Sequence, residues 1–326
     1  MLGLKVIEIE MPKFGDNEVL IKVHAAPVNP SDIAFIQGNY NVVKTLPAIP
    51  GFEASGKVVN AGKNVKNLIG KNISCFVQDD RGGTWSEYVV ANVNDTILLK
   101  DEMDLDQAAC FTVNPFTAYG MFEIALMRES KAIIQNASGS QVASFIRIMA
   151  AENNVKVIDI VRKKESADKL TRDGAEHVLV ETDEDFTKKL NNLAHELNAT
   201  VAFDAVGGGL SGIMYNAMPN DSELVVYGGL SGKPISDINV MDVIFNNKII
   251  SGFNLMDWKA ELEEGEFDEI SEKLQDKFIA GDYKTNIRES FSLDNIVKGL
   301  RSYISDMSLG KVLVVEKLKV RKLESL

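Results

Sequence analysis

The segment from residue 131 to residue 164 constrains the fold more than any other part of the chain. An apolar run at 132–134 ends in a turn of small residues, and a second apolar run follows at 155–161. Between them, apolar residues recur at the spacing of one helix face: Val142, Phe145, Ile146 and Met149. A turn that opens into a helix presents free backbone N–H groups and the positive end of the helix dipole, which suit a pyrophosphate. The segment predicts a strand–turn–helix–strand unit with a dinucleotide site.

Basic residues follow the second strand of this unit. In dinucleotide-binding folds the residue at the end of that strand lies beside the adenosine ribose. An acidic residue there would hold the 2′-hydroxyl, whereas Arg162, Lys163 and Lys164 suit a 2′-phosphate. The sequence therefore predicts NADPH as the cofactor. A solvated run of positive charge is the alternative for these three residues.

The turn lacks the G-x-G-x-x-G/A spacing that usually lets backbone approach a phosphate closely. The equivalent positions hold Ser138, Ser140 and Ala143. Gly139 is out of phase, and Gln141 adds a bulky side chain near the expected phosphate. An ordinary strand–helix–strand unit that binds no nucleotide therefore remains an alternative.

Length and charge narrow the classes of function. At 326 residues the chain can form two domains with cores of their own. The net charge of −12 argues against a nucleic-acid surface or an anionic membrane as partner. No apolar run approaches the length of a bilayer span. Residues 1–8 include Glu8, an acid where a signal or transit peptide avoids one, so we expect a cytoplasmic protein.

Cysteine and histidine are too few and too scattered for a zinc site of three or four ligands. Cys75 and Cys110 form no Cys-x-x-Cys pair, and no two of the histidines share helix-face spacing. We therefore expect no metal. We interpret His24, His177 and His195 as ordinary strand and helix residues.

The pattern of elements changes near residue 105. Before it, short strands alternate with turns, which predicts a compact β domain. After it, strands alternate with helices, which predicts a parallel sheet. Predicted strands lie at 132–135, 155–161, 177–180, 200–203, 223–226 and 249–252, and predicted helices at 166–172, 185–197 and 212–217. Residues 259–277 predict one solvated acidic helix.

The C-terminal part predicts a return to the first domain. Ile296, Leu300 and Ile304 share one helix face, and a strand at 311–315 follows. If that strand joins the β domain, the α/β domain is an insertion, and a ligand cleft lies between the domains, outside the carboxyl ends of the parallel strands. We expect residues 316–326, which are rich in charge, to be frayed. The expected domains are the first part of the GroES-like domain at 1–112, the nucleotide-binding domain at 113–258, and the return to the first domain at 259–326.

Several short motifs carry a family resemblance. They lie at 29–40, with Ile-Gln-Gly-Asn-Tyr as the most specific part, and at 47–56, 114–119, 135–138, 204–208, 227–229 and 310–311. With these motifs the chain resembles the medium-chain dehydrogenase/reductase superfamily over residues 4–315. Within it, the chain is most similar to the NADPH-dependent 2-enoyl thioester reductases of the mitochondrial type, and next to the quinone oxidoreductases. The resemblance implies an α/β fold, a GroES-like β domain with an inserted doubly wound (Rossmann) parallel-sheet domain.

The chain departs from the zinc-dependent members of this superfamily. Those members carry a cysteine and a Gly-His-Glu where this chain has Asn29 and Gly51-Phe52-Glu53. Zinc is therefore not expected to polarise the substrate. We interpret Asp32 and Glu53 as residues that satisfy loop backbone groups around the missing metal rather than as an acid/base pair.

The resemblance assigns proton donation to Tyr40. Hydride addition to the β-carbon of an enoyl thioester leaves an enolate, and a phenol aimed at its oxygen or α-carbon can supply the proton. The alternative is an aromatic residue at the end of a turn that packs over a loop.

The resemblance also implies a set of cofactor-binding residues. Asn114 and Thr117 would bond the nicotinamide carboxamide, although Asn-Pro is also typical of a helix start. The other candidates are Gly139, Ser140, Gln141, Val142, Arg162, Lys163, Lys164, Tyr227, Gly228, Gly229, Leu230, Phe253, Leu255 and Lys311. Of these, Phe253 and Leu255 are equally compatible with a core position, and Lys311 with the surface.

Three functions are compatible with these patterns. The first is an NADPH-dependent, zinc-independent reductase of activated C=C bonds, with 2-enoyl thioesters as substrates. The second is an NADPH quinone oxidoreductase, and the third is a non-catalytic protein on the same scaffold, for which Gln141 is the main support. By resemblance we expect a homodimer, and residues 244–252 offer an apolar strand for pairing through sheet edges.

Overall fold

The computed structural model describes residues 3–42, 44–80 and 82–315, which fold into two compact units. Of the described residues, those up to 114 and those from 268 onward form the first unit, and residues 115–267 form the second. The frayed end predicted for residues 316–326 lies outside the described residues. The domain ranges expected from the sequence stay a prediction.

A seven-stranded sheet forms the centre of the first unit. Its strands are β1 (Glu18–Pro27), β2 (Glu53–Ala61), β3 (Asn72–Phe76), β4 (Tyr88–Asn92), β5 (Thr96–Leu98), β12 (Ile287–Ser292) and β13 (Lys311–Val315). The order is β12-β13-β1-β2-β3-β5, and β4 also pairs with β1. In β1, Ile21 and Val23 are buried whereas Lys22 and His24 are exposed, so the strand alternates between the core and solvent.

The C-terminal strand returns to the first unit, as the sequence predicts. β13 pairs antiparallel with β1, placing Val314 opposite Ala26, and pairs parallel with β12. The helices of this unit are α1 (Pro30–Ile36), α2 (Leu105–Ala108), most of α10 (Glu266–Ala280) and α11 (Ile296–Ser305). Ile296, Leu300 and Tyr303 of α11 are buried in the core of this sheet. The inserted topology is therefore confirmed.

A six-stranded sheet, parallel throughout, forms the second unit. Its strands are β6 (Ala132–Gln135), β7 (Lys156–Val161), β8 (His177–Val180), β9 (Ala199–Asp204), β10 (Glu223–Val226) and β11 (Ile249–Gly252). The helices are α3 (Asn114–Met127), α4 (Gln141–Glu152), α5 (Lys164–Arg172), α6 (Phe186–Glu196), α7 (Gly209–Ala217), α8 (Val240–Phe245) and α9 (Leu255–Glu261).

The strand order of the second unit is β11-β10-β9-β6-β7-β8, the doubly wound arrangement. The order reverses between β6 and β9, so the turns that follow these two strands flank the crevice where such sheets bind ligands. The predicted face of α4 is buried, with Phe145 and Ile146 fully covered. The fold class expected from the sequence is confirmed.

Two local expectations are wrong. Residues 259–277 do not form one solvated helix, because α9 ends at Glu261 and α10 begins at Glu266, after Gly265 with a φ of 87°. α10 also buries one face, with Ile270 and Leu274 in the core. Residues 244–252 do not form one strand, because α8 extends to Phe245 and only 249–252 are extended. Within the described ranges, each helix is too short or too polar to cross a bilayer.

Candidate active site

The turn after β6 leads directly into α4 and is fixed by a serine cap. Ala137 adopts a φ of 46°, and the Ser140 hydroxyl accepts a hydrogen bond from Ala143 N–H at 3.2 Å. Ser140 is thus the N-cap residue of α4. The start of a helix carries the positive end of the helix dipole, which suits an anion such as a pyrophosphate.

Ser138 ties this turn to the neighbouring strand. Its hydroxyl donates to the Gln135 carbonyl at 3.0 Å and accepts from Ile160 N–H at 3.0 Å, and its own N–H donates to the Ile160 carbonyl at 3.3 Å. The side chain is fully buried. A glycine would make neither hydroxyl bond, so the departure from the glycine pattern has a structural role that the sequence did not reveal.

Asn136 and Asp204 join the two strands at the switch point. Asn136 Nδ2 donates to Asp204 Oδ1 at 2.5 Å, and Asn136 Oδ1 accepts from Ala205 N–H at 2.8 Å. Asp204 also accepts from the N–H groups of Val206 and Gly207, at 2.8 and 3.0 Å. This buried network shapes the backbone that follows β9. Both residues lie in motifs of the sequence, but only the sheet order shows that they pair.

The residues at the start of α4 have different exposures. Ala143 is fully buried and Val142 is nearly so, which suits close packing of α4 on the sheet. Gln141, the first helical residue, is half-buried, and so are Gly139 and Ser140. The nucleotide-facing candidates of this turn therefore lie at its surface.

Positive charge is exposed at the end of β7. Arg162, Lys163 and Lys164 are exposed, and Lys163 is the N-cap residue of α5. The nearby acid, Asp159, is buried and accepts hydrogen bonds from Gln135 Nε2 at 2.8 Å and Arg147 Nη1 at 2.9 Å. Asp159 is therefore not presented at the end of this strand, whereas the basic cluster is exposed there, followed by the exposed Glu165 in the first turn of α5.

The segment after β10 lies beside the start of α4. The Tyr227 phenol and the Ser140 hydroxyl form a hydrogen bond, and burial raises the pKa of Tyr227. Gly228 approaches the backbone closely, since a Cβ there would lie 2.8 Å from the Ala205 carbonyl. Gly229 and Leu230 are exposed. These four consecutive candidates, Tyr227 to Leu230, are thus joined to the serine-capped turn through the Tyr227–Ser140 hydrogen bond.

Phe253 and Leu255 follow β11. Phe253 N–H donates to the Val226 carbonyl at 2.9 Å, and its half-buried ring lies 6.4 Å from the Trp258 ring. Leu255 is the first residue of α9 and is half-buried. Phe253 and Trp258 line a pocket of about 530 Å³ with Gly120 and Glu123 of α3. Neither Phe253 nor Leu255 is a fully buried core residue.

Asn114 and Thr117 lie at the start of α3, and both side chains are buried. Asn114 Nδ2 has no hydrogen-bond partner within the described part of the chain. A buried amide without an acceptor is costly, so this nitrogen suits a ligand carbonyl. The helix begins at Asn114 itself.

In the first unit, Asn29 and Glu53, at two of the positions where the sequence departs from the zinc-dependent pattern, are buried and hydrogen-bonded to each other. Glu53 Oε1 accepts from Thr112 Oγ1 and Val113 N–H, both at 3.0 Å, and Glu53 Oε2 accepts from Asn29 Nδ2 at 3.1 Å. Burial raises the pKa of Glu53. The described residues contain no group of three or more His, Cys, Asp or Glu side chains that would hold a metal ion.

Lys311 belongs to this buried cluster. Its Nζ donates to Asn29 Oδ1, and the residue is only 6% exposed. Asn29 therefore bridges a buried cation and the Glu53 carboxylate, with its amide oriented by both charges. The surface position considered for Lys311 is excluded.

Asp32 lies beside the same cluster, at the third position of α1. Its Oδ2 accepts from Asn29 N–H at 2.7 Å, which completes a capping box. Its Oδ1 is buried and makes no hydrogen bond within the described residues. Burial raises the pKa of the Asp32 carboxyl to about 7. The hydrogen bond from Asn29 N–H and the positive charge of Lys311 lower this pKa but do not offset the burial. Asp32 does satisfy a loop N–H group, as expected, and its carboxyl also has a backbone hydrogen bond to Phe52.

Tyr40 is half-buried after α1. Its ring centroid lies 5.4 Å from that of Phe52, and its oxygen hydrogen-bonds the Gln78 side chain. Burial and the negative charge of Asp32 raise the pKa of the phenol, while the Gln78 bond lowers it. The pKa of Tyr40 moves upward from a value that already keeps a phenol protonated at neutral pH, so Tyr40 is neutral there. Gln78 carries no recognisable motif, so the sequence did not identify it.

Two family models match the chain. The alcohol dehydrogenase GroES-like domain matches residues 15–101, and the zinc-binding dehydrogenase model matches residues 142–272. These matches indicate a protein of the dehydrogenase class with a GroES-like part near its N-terminus.

Similar proteins narrow this class. The mitochondrial enoyl-[acyl-carrier-protein] reductase of Xenopus tropicalis is 33% identical over 284 residues, covering 85% of this chain and 79% of the relative. The human protein of the same name is 32% identical, covering 85% of this chain and 76% of the relative. The chain belongs to the medium-chain dehydrogenase/reductase superfamily, in the group that includes these enoyl reductases.

Solved structures agree on the fold. A Mesorhizobium loti structure described as an NADPH:quinone reductase has a TM-score of 0.89 and 31% identity, covering 94% of this chain and 88% of that one. The mitochondrial 2-enoyl thioester reductase heterodimer of Candida tropicalis has a TM-score of 0.76, 24% identity, and coverage of 94% and 93%. At that identity the Candida structure supports the fold alone.

Proposed function

We propose that this protein is an NADPH-dependent, zinc-independent reductase of activated C=C bonds, and that its substrates are 2-enoyl thioesters. The observation that carries the proposal is the environment of Tyr40. Its ring is fixed by Phe52, its oxygen by Gln78, and its pKa is raised by burial and by Asp32. A neutral phenol held in this way suits proton donation to a substrate anion. The relatives named enoyl-[acyl-carrier-protein] reductases point to the same substrate class.

The chain offers matching groups for each part of NADPH. The N–H groups at the start of α4 would hold the pyrophosphate, and Arg162, Lys163 and Lys164 would hold the 2′-phosphate. Asn114 Nδ2, which has no partner among the residues that the structure describes, would donate to the nicotinamide carboxamide, and Thr117 lies on the same helix. NADPH, when bound, supplies a hydride.

Tyr40 has the complementary role in this reaction. Hydride addition at the β-carbon moves the electron pair of the double bond toward the thioester carbonyl. Tyr40 Oη then gives its proton to the α-carbon, which leaves a saturated thioester and a phenolate. If the proton goes first to the enolate oxygen, the product is an enol, which becomes the saturated thioester when its α-carbon gains a proton and its hydroxyl loses one. The phenolate recovers a proton from water before the next turnover.

Replacing Tyr40 by phenylalanine tests the proposal. We expect Tyr40→Phe to lower kcat for crotonyl thioester by a factor on the order of 10²–10⁴, the usual contribution of general acid catalysis. The dissociation constant of NADPH should stay nearly the same, because the ring contact with Phe52 is retained. Steady-state oxidation of NADPH gives kcat, and titration calorimetry gives the dissociation constant.

Quinone reduction is the second candidate, favoured by the likeness to the Mesorhizobium loti structure. A quinone takes a hydride on oxygen and does not need Tyr40. Turnover of a small quinone that survives Tyr40→Phe, without turnover of crotonyl thioester, would favour this function. Absence of NADPH binding by the wild-type protein would instead favour a non-catalytic scaffold.

A homodimer formed through the second unit is part of the proposal. α8 exposes Val240, Val243, Ile244 and Phe245, and β11 is the edge strand of the parallel sheet. An exposed edge strand beside an apolar helix is suited to pairing with another chain. We also propose a cytoplasmic location, which cell fractionation would test; the relatives carry the word mitochondrial in their names.

A further inference from the structure

The carbonyl of Ser138, in the turn between β6 and α4, is bound by an arginine from the helix that follows it. Arg147, in the middle of α4, donates from Nη1 to the Ser138 carbonyl at 2.8 Å and to Asp159 Oδ1 at 2.9 Å. An Nη nitrogen of arginine carries two hydrogens, so this one nitrogen uses both of them. A single guanidinium group thus connects the turn, α4 and β7.

Asp159 supplies the charge that holds Arg147 in this place. The Asp159 side chain is 1% exposed, and the Arg147 side chain is 21% exposed. Gln135 Nε2 also donates to Asp159 Oδ1, at 2.8 Å, whereas Asp159 Oδ2 has no hydrogen-bond partner within the described residues. The carboxylate therefore depends on the guanidinium for its neutralisation, and removing one partner of such a buried pair is costly.

The direction of the Ser138 carbonyl also sets the direction of the next N–H group. The peptide bond between Ser138 and Gly139 is trans, and in a planar trans peptide the C=O and N–H bonds point in opposite directions. Because the carbonyl points toward Arg147, the Gly139 N–H points away from it. Gly139 is half-buried, and its N–H donates to no acceptor within the described ranges. This N–H is therefore a fixed donor in the turn before α4.

We propose that Arg147 is a positioning residue for the pyrophosphate of NADPH. It holds the peptide group between Ser138 and Gly139 in one orientation, so that the Gly139 N–H is offered to the anion in a turn that lacks the usual glycine spacing. A donor that is fixed before the ligand arrives needs no ordering on binding, which favours affinity. The inference rests on the proposed function, in which this turn binds NADPH.

Two variants separate the carbonyl contact from the ion pair. Arg147→Met combined with Asp159→Asn removes the donor to the Ser138 carbonyl and leaves no unpaired buried charge, while an amide oxygen at position 159 still accepts from Gln135 Nε2. Asp159→Asn alone is the matched control, because Arg147 still donates to the Ser138 carbonyl. We expect the double variant to bind NADPH about tenfold more weakly, the usual effect of one hydrogen bond, and the control to bind it as the wild type does.

A ligand without a pyrophosphate distinguishes positioning from a merely structural role. Adenosine 2′-monophosphate carries the ribose and the 2′-phosphate proposed to bind Arg162, but it has no group for the Gly139 N–H. Titration calorimetry of the double variant should therefore give weaker binding of NADPH and unchanged binding of adenosine 2′-monophosphate. A second measurement needs no variant: the Gly139 amide resonance of isotope-labelled wild-type protein should shift when inorganic pyrophosphate is added.

The outcomes separate the inference from the proposed function. A loss confined to NADPH and to the double variant supports the inference. Unchanged NADPH binding, an equal loss in Asp159→Asn, or a loss of both ligands overturns it. If the double variant does not fold, the Gly139 amide resonance decides, and no shift with pyrophosphate overturns the inference. The selective loss of NADPH in a protein whose wild type does not reduce crotonyl thioester would retain the role of Arg147 and reject the proposed function.

Discussion

At the scale of single residues, the choice between the two nicotinamide cofactors depends on what the end of β7 presents. Asp159 is bound by Gln135 and Arg147 and is 1% exposed, so its charge is not available to a ribose hydroxyl. Arg162 is exposed immediately after the strand. A guanidinium binds a phosphate through two parallel hydrogen bonds, which a ribose hydroxyl cannot match.

Removing this guanidinium should change cofactor selectivity. We expect Arg162→Ala to weaken NADPH binding by about 10- to 100-fold, the range for a charge-assisted hydrogen bond, and to leave NADH binding unchanged. Titration calorimetry with both cofactors measures this. Arg172→Ala, an exposed arginine at the end of α5, is the matched control and should have no effect. Equal losses for NADPH and NADH would contradict a 2′-phosphate site.

Residues whose role depends on neighbours in sequence were predictable, whereas residues whose partners come from distant segments of the chain were not. The basic run after β7 was identifiable because its place in a strand–helix–strand unit is local information. The burial of Lys311 was not, because it depends on β13 returning beside β1 and bringing the lysine to Asn29. Gln78 was not identified for the same reason: its partner, Tyr40, lies in a different segment of the chain.

At the scale of elements, the turn between β6 and α4 shows how a fold can keep a nucleotide-type turn without its usual glycines. Where a glycine would offer backbone freedom, the Ser138 hydroxyl makes two hydrogen bonds that join the turn to β6 and β7. Ser140, at the next such position, caps the N-terminus of α4. The turn is therefore held by side chains, and its stability depends on them.

Restoring a glycine at this turn should destabilise the protein. We expect Ser138→Gly to lower the free energy of unfolding by about 1–3 kcal/mol, because Ile160 N–H loses an acceptor in a buried site. Thermal and urea denaturation of the wild type and the variant measure this loss in the free energy of unfolding. Ser144→Ala, at a half-buried serine within α4, is the control and should not destabilise. A more stable Ser138→Gly would show that the hydroxyl bonds contribute nothing.

Periodicity predicted most elements of the parallel sheet because each strand is a short apolar run between turn residues. It failed at residues 259–277, where many acids suggested a solvated helix. The apolar positions Ile270, Leu274 and Phe278 of α10 are spaced by four residues and cover one face, but charged residues between them masked this stripe. The break at Gly265 was the local signal that was available.

At the scale of the whole molecule, the order of elements was sufficient to predict an inserted domain. A β-rich start, an α/β middle and a closing helix and strand leave few topologies, since a final strand needs a partner. β1 is that partner. Assembly is a different question, because an apolar surface is compatible with several occupants and the sequence does not say which one covers it.

The geometry of α8 and β11 makes the homodimer testable. Lys248 Nζ donates to Asp242 Oδ2 at 3.0 Å in a buried pair, which fixes the helix beside the edge strand. Phe245, at the end of α8, is 70% exposed. A charge at this position would lose its hydration in an interface between two copies. Because each copy contributes one such charge, the free-energy cost of desolvation is incurred twice.

We therefore expect Phe245→Glu to convert a dimer into a monomer, as measured by light scattering coupled to gel filtration over a range of concentrations. Ile69→Glu is the matched control, because Ile69 is an exposed apolar residue of the first unit, at 48%, and its variant should remain a dimer. A dimer that survives Phe245→Glu would place the interface elsewhere. A wild-type protein that stays monomeric at all concentrations would leave β11 as a tolerated edge strand, protected by its short length of four residues.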